Sequence, residues 1–180
     1  MRELRDHRPF DAVEAGHLAS LRDLLALPGD PFDRHRFEPG HVTASGFVLC
    51  PGSQRLLLIH HGALGRWLQP GGHVEPTDGT VREASAREVI EETGVALGHP
   101  PTGSLFDVDV HPIPAKGPAP AHRHYDVRFL WRAAADDVRV SAESSAVAWV
   151  ALADLPRRYA SPSAARIAAK LAEIARSGLE

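Results

Sequence analysis

Three glutamates crowd into five positions, Glu88, Glu91 and Glu92, in the stretch REVIEETG that closes at Gly94. On a helix, Glu91 and Glu92 fall three and four residues after Glu88, on its face. Like charges at that spacing repel by roughly 0.2–0.5 kcal/mol per exposed pair, so the arrangement needs a cation. Gly71 and Gly72 stand one turn-rich loop upstream and can bring bare backbone close to a ligand. Carboxylates with a backbone carbonyl form an oxygen-only donor set. Such a set suits a hard cation such as Mg²⁺, which keeps waters and bridges to phosphate. The plain alternative is a solvated charged face with Arg82 and Arg87 as surface partners.

The helix carrying these residues has legible ends. Thr80-Val81-Arg82-Glu83 fits a capping box, in which Thr80 and Glu83 satisfy each other's exposed N–H groups. Gly94 fits a left-handed stop. Val81, Ser85, Ala86, Val89 and Ile90 are left to face a sheet.

From Gly72 to Val95 the chain resembles the signature of the Nudix hydrolases. That signature runs glycine, five residues, glutamate, seven residues, then Arg-Glu-aliphatic-any-Glu-Glu-any-Gly-aliphatic. Arg87, Glu88, Val89, Glu91, Glu92, Gly94 and Val95 match its second half, and Trp67 to Gly72 reads as a Trp-x-x-Pro-Gly-Gly approach. The resemblance extends loosely over residues 41–160. One departure stands out: Asp78 occupies the glutamate position, and eight residues instead of seven separate it from Arg87. Either the loop holds an extra residue and Asp78 serves, or that role is lost.

The resemblance implies an α+β fold, a Nudix-type α/β/α sandwich around a mixed β-sheet. It also implies hydrolysis of a diphosphate linkage in a nucleoside diphosphate derivative (a nucleotide sugar, an ADP-ribose-like compound or a nucleoside triphosphate), with Mg²⁺ or Mn²⁺. Glu91 and Glu92 become metal ligands, with the Gly71 carbonyl a weaker third. Glu88 is a further ligand or the base that orients water, a carboxylate being suited to take its proton. Arg87 pairs with a box carboxylate, and Asp78 and Gly72 support the site. Family members often carry one more acid on a loop after the box; Glu143 is the candidate, with Asp136 and Asp137 competing. Two other readings share the fold: a nucleotide-sensing module without catalysis, and a prenyl diphosphate isomerase. The intact glutamates and the apolar setting of Cys50 argue against both.

A second concentration of polar residues is His122-Arg123-His124-Tyr125-Asp126. On a strand His122, His124 and Asp126 share a face, which would begin a zinc site but offers no fourth ligand. Contact with a phosphorylated substrate, from His122, His124 and Lys116, is the functional alternative, and structural hydrogen bonding the plain one. Trp67 either stacks on a base or packs in the core. The proline marking an ADP-ribose subgroup would fall on His111, with Pro112 adjacent, and the tyrosine of a dinucleoside polyphosphate subgroup on Ile113. The near match leans toward a nucleoside diphosphate joined to a sugar.

These residues need a scaffold. HVTASGFVLC and RLLLIHH, separated by Pro51-Gly52-Ser53-Gln54, read as a hairpin. LQPGGHVEPTDG reads as turns leading into the glutamate helix. SLFDVDVHPIP, YDVRFLWRA and AVAWVAL are further strands, with a Pro/Gly/Ala loop after the first. Ser161 and Pro162 fit the start of a final helix that buries Ile167, Leu171 and Ile174 and stops at Gly178. Strands, helix, strands, helix, without regular βαβ alternation, point to a mixed sheet covered by helices. Residues 11–26 carry an apolar stripe at helical spacing before the break at Pro28-Gly29-Asp30-Pro31. Residues 1–38 therefore read as a helical extension, its stripe meeting the core or a second subunit of a homodimer, and residues 39–180 as the catalytic domain.

Whole-chain quantities narrow the partners. A formal charge of −3 over 180 residues gives no basic field for nucleic acid. The N-terminus is charged, without the apolar core of a signal peptide, and no apolar run reaches the ~18–20 residues that span a membrane. The single cysteine, Cys50, excludes an internal disulfide and fits a reducing compartment. A cytoplasmic protein acting on a small phosphorylated molecule is expected.

Overall fold

The computed structural model describes residues 2–98, 105–142 and 144–176. Alternation along the strands decides the layers. In β1 (Gly40–Leu49) Val42 and Val48 face one way and Phe47 and Leu49 the other, and all ten residues are buried. In β2 (Arg55–His61) Leu57 joins the first set, Leu56 and Leu58 the second. β6 (His122–Arg132) divides Val127, Phe129 and Trp131 from Leu130 in the same manner. Side chains alternate faces with period two, so strands apolar on both faces demand cover on both.

The strands run β3-β2-β1-β6-β5 across the sheet, with β3 at Arg66–Leu68 and β5 at Leu105–Ile113. β1 and β6 are parallel in register from Gly40↔Arg123 to Leu49↔Arg132, and the other pairs are antiparallel. β1 meets β2 at Leu49↔Leu56. Elsewhere β4 (Gly71–His73) pairs with β1, and β7 (Ser144–Ala151) with β2. The result is a mixed sheet of the α+β class, as the order of elements suggested. The stretch read as turns before the glutamate helix contains a strand after all. Three residues of β4 suffice because Thr43, Ala44 and Ser45 offer it an edge.

On one face lies α3 (Val81–Thr93). It approaches β1 so closely that a Cβ on Gly46 would sit 2.5 Å from a Val89 methyl. The other face is covered by α5 (Ala164–Arg176), whose Ile167 and Leu171 pack with Phe47, Leu130 and Tyr159. This helix begins later than the Ser161-Pro162 reading, because Ser161 Oγ accepts the Ser163 N–H in a turn of its own, at 3.2 Å. A short α4 (Leu155–Arg158) precedes it, and α1 (Arg2–Asp6) and α2 (Ala12–Ala26) open the chain. Ser104 and Gly178 lie outside the described residues.

Leu18, Leu21 and Leu24 of α2 are buried in the same core as Val42 and Val127. Most of the apolar stripe of the N-terminal segment thus finds its cover within its own chain, while Val13, expected in it, is 57% exposed. Polar groups lock it there. Glu14, with no exposed surface, accepts Lys170 Nζ at 2.7 Å and the Val108 N–H of the β5 edge at 3.3 Å. Lys170 also reaches Asp107 at 2.7 Å. Arg166 bridges Asp107 and Asp109, at 2.9 and 3.0 Å. Buried Arg128 joins Asp107, Asp109 and Asp126, at 3.3, 3.0 and 2.8 Å. Buried charges persist only when paired and hydrogen-bonded, and here the partners come from α2, β5, β6 and α5.

Candidate active site

The glutamate helix is capped as its sequence indicates. Thr80 Oγ1 accepts the Glu83 N–H at 3.1 Å, and Gly94 adopts φ 64° with its N–H on Ile90 O at 2.8 Å. Ala84, Ser85 and Val89 face the core. Ile90, expected among them, is 45% exposed instead, being one residue past the buried stripe.

Arg87 organises the charges. Its Nε and Nη2 grip Asp78 at 3.0 and 2.9 Å, and Nη1 lies 3.0 Å from both Glu88 and Glu91. Nη2 also donates to the His73 carbonyl at 2.9 Å, tying α3 to β4. One guanidinium is thus shared by three carboxylates. This relieves the repulsion between Glu88 and Glu91, and the hydrogen bond to Asp78 first of all raises the Arg87 pKa further. The same bond holds the Asp78 carboxyl below its ordinary value of 3.8. Asp78 Oδ2 also accepts the Glu75 N–H at 2.8 Å, so the loop with the extra residue closes on itself around this carboxylate.

The two glycines serve by what they lack. A Cβ on Gly72 would stand 2.5–2.7 Å from the carboxyl atoms of Glu88, so a side chain there would displace that carboxylate. Gly71 donates its N–H to Glu92 Oε2 at 2.8 Å. Glu92 is 7% exposed, whereas the Glu91 side chain is 59% exposed. Beside the cluster opens a cavity of about 1430 Å³, whose lining includes Gly71, Gly72, Asp78, Arg87, Glu88 and Glu91. The all-oxygen donors Glu88, Glu91 and Glu92, on one helix face beside exposed backbone, fit a hard divalent cation.

The sequence profile of the NUDIX domain matches residues 40–171. The chain belongs to the NUDIX family. A MutT NUDIX hydrolase from Burkholderia pseudomallei is similar at 29% identity and TM-score 0.56, over 74% of this chain and 96% of that one. The Ap4A hydrolase of C. elegans shares the fold at TM-score 0.59 and 20% identity, over 76% of this chain and 98% of that one. So does the NUDIX domain of Shewanella oneidensis NrtR, solved with ADP ribose, at TM-score 0.57 and 18% identity, over 89% and 97%. No curated protein matches the sequence.

The other residues singled out from the sequence lie apart from the NUDIX box. Trp67 packs on the second core cluster and meets His60 edge to face, ring centroids 5.3 Å apart. Lys116 is exposed in the loop between β5 and β6. His122 and His124 belong to a group of imidazoles on β1, β4 and β6, and neither they nor Lys116 nor Trp67 lines the cavity. Asp126 is committed elsewhere, accepting from Arg128, Ser45 and Gln69 at 2.8–3.1 Å, so it does not complete a zinc site with the two histidines. Asp136 lies 3.6 Å from Arg55 at the start of β2, and Asp137 is exposed. Glu143 lies outside the described residues. Cys50 is buried and accepts from Arg55 at 3.2 Å.

The cavity also has walls that the sequence did not announce. Phe32, Arg34 and His35, in the loop after α2, and Leu21 and Leu25 of α2 line it together with the box residues. The helical spacing of Leu21 and Leu25 marks a buried face but not a site, because these residues reach the cavity only by packing of the N-terminal segment on the sheet. No helix among the described residues is long and apolar enough to cross a membrane.

Proposed function

We propose that this protein is a metal-dependent NUDIX pyrophosphohydrolase that cleaves the diphosphate linkage of a nucleoside diphosphate derivative. The observation that carries the reading is the convergence of Glu88, Glu91, Arg87 and Gly72 on one side of the 1430 Å³ cavity, with Glu92 behind them on the Gly71 amide. Such a volume exceeds the ~300–1,000 Å³ usual for small-molecule pockets, leaving room for a nucleoside as well as its phosphates. Glu91 and Glu92 are the metal ligands in this reading, with the Gly71 carbonyl as a third. When bound, Mg²⁺ or Mn²⁺ neutralises phosphate oxygens and makes a bound water more acidic. Glu88 orients the attacking water and takes its proton. Arg87 and Asp78 keep loop and helix in place. In this reading Arg34 and Phe32, which also line the cavity, would meet phosphate and a base or sugar. The NrtR NUDIX domain solved with ADP ribose supports a nucleoside diphosphate joined to a sugar as the first class to test.

The experiment is a screen of nucleotide sugars, ADP-ribose, dinucleoside polyphosphates and nucleoside triphosphates with Mg²⁺ or Mn²⁺, detecting phosphate after phosphatase coupling. Turnover should vanish in chelator and return with metal. Glu92→Gln should lower kcat and metal affinity together, kcat by ~10²-fold or more, the scale of losing a positioned charge. Glu88→Gln should lower kcat with metal affinity nearer normal. Full activity in excess chelator, or a Glu92→Gln enzyme with normal metal affinity, would refute the mechanism.

A further inference from the structure

Across the sheet from its carboxylates the protein concentrates histidine. β1 is flanked by β4 on one side and β6 on the other, and contributes His41, which lies beside His124 in the parallel register. β4 contributes His73. One ring nitrogen from each of His41, His73 and His124 lies within 4.8 Å of the others. His122 adjoins them, its Nε2 3.3 Å from His124 Nε2.

Two tautomers are fixed by the backbone. His41 Nδ1 is 3.1 Å from Arg36 O, and His122 Nδ1 is 2.8 Å from Pro120 O. A carbonyl only accepts, so in the neutral rings the proton sits on Nδ1 and Nε2 carries a bare lone pair. His41 is 1% exposed, and its Nε2 is buried without a hydrogen-bond partner. A buried acceptor left unpaired costs about 1–3 kcal/mol. A ligating imidazole held by a backbone carbonyl through its other nitrogen is the usual arrangement at metal sites.

We propose that His41, His73 and His124, with His122 as the adjacent fourth donor, form a binding site for Zn²⁺ or a similar imidazole-preferring transition ion, separate from the oxygen-ligand site of the NUDIX box. Imidazole selects zinc and its neighbours over magnesium. Two nitrogens on one tetrahedral zinc, with bonds of ~2.0–2.1 Å, stand about 3.3–3.4 Å apart, the separation already found between His122 and His124. The remaining rings close in from within 4.8 Å. An ion here clips β4 to β1 and β6. Because the His73 carbonyl also receives Arg87, the clip braces the strand that carries Gly71 and Gly72.

The test uses tag-free, chelator-treated full-length protein titrated with Co²⁺ in excess Mg²⁺, followed by visible d–d absorption and by melting temperature with Zn²⁺. The expected result is one Co²⁺ per chain with tetrahedral bands that Mg²⁺ does not displace, and a melting temperature that rises with Zn²⁺ concentration. His124→Gln and His73→Gln should each weaken Co²⁺ binding by more than the ~10–100-fold typical of losing a group that merely holds a ligand. Glu92→Gln should leave the bands intact, whatever it does to hydrolysis. Absence of stoichiometric bands and of a zinc-dependent melting shift in the wild type would overturn the proposal. So would bands that survive His124→Gln and disappear in Glu92→Gln, since the ion would then sit on the carboxylates.

Discussion

Asp78 holds the position where the NUDIX signature has glutamate, in a loop longer by one residue, and Asp78→Asn tests whether it serves there. Asp78 accepts three hydrogen bonds, from Arg87 Nε, Arg87 Nη2 and the Glu75 N–H. Whichever way an asparagine amide turns, its NH₂ faces at least one donor. Turning it toward Arg87 Nε sacrifices a single bond and keeps the other two. Loss of a hydrogen bond to a charged group costs about 1.5–3 kcal/mol. Arg87 keeps Glu88, Glu91 and the His73 carbonyl, which limits the damage, so about 2 kcal/mol of stability should go. Arg87→Met removes the cation from all three carboxylates and should cost more, about 3–5 kcal/mol. Urea unfolding of both single variants and the double variant gives their coupling, expected at about 1–3 kcal/mol for a directly bonded pair. In kcat, Asp78→Asn should lose ~10–100-fold, as groups that hold a ligand do, with metal affinity near normal. Because Arg87 depresses the Asp78 pKa, the contribution of Asp78 is complete above its unfolded value near 3.8 and is lost as pH falls below it. A coupling energy near zero would show that the pair is no strut. A collapse of metal affinity equal to that of Glu92→Gln would make Asp78 a ligand, and the alignment of the longer loop would be wrong.

Two further outcomes follow from the buried network. Burial raises the Glu14 pKa, but hydrogen bonds from His7 and Lys170 more than reverse this and hold it at about 2 against an ordinary 4.5. Its stabilisation is therefore complete above pH 4.5 and drains away as pH falls toward 2. Chemical denaturation at pH 7 and near pH 3 should show the wild type losing on the order of a few kcal/mol more than Glu14→Gln; parallel losses would refute the assignment. Deleting residues 1–38 removes Leu18, Leu21 and Leu24, all 2% exposed or less. At ~1.5–3 kcal/mol each that approaches the whole stability of an ordinary domain. A thermal melt should show a large drop or no cooperative transition, and an unchanged melting temperature would make the segment a passive tail.

What the sequence determined about this protein is local. Caps, turns and period-two runs depend on neighbours a few residues away, so the Thr80 cap, the Gly94 stop, the hairpin at residues 51–54 and most strands could be read directly. The spacing of Glu88, Glu91 and Glu92 also follows from helical geometry alone, as does their common face. Only the tertiary structure decided which charges meet. β4 hides in a stretch of glycine and proline because its strand character comes from the edge that β1 offers it. Lys170 and Glu14, 156 residues apart, have no periodicity to connect them, and they meet because α2 and α5 both pack against β5. His41 and His73 gave no sign as single residues. They join His124 because a parallel pairing of β1 with β6 and an antiparallel pairing of β1 with β4 set three distant segments side by side. Register fixes such meetings to the residue, and register is settled by burial of whole strands, which no short window of sequence contains.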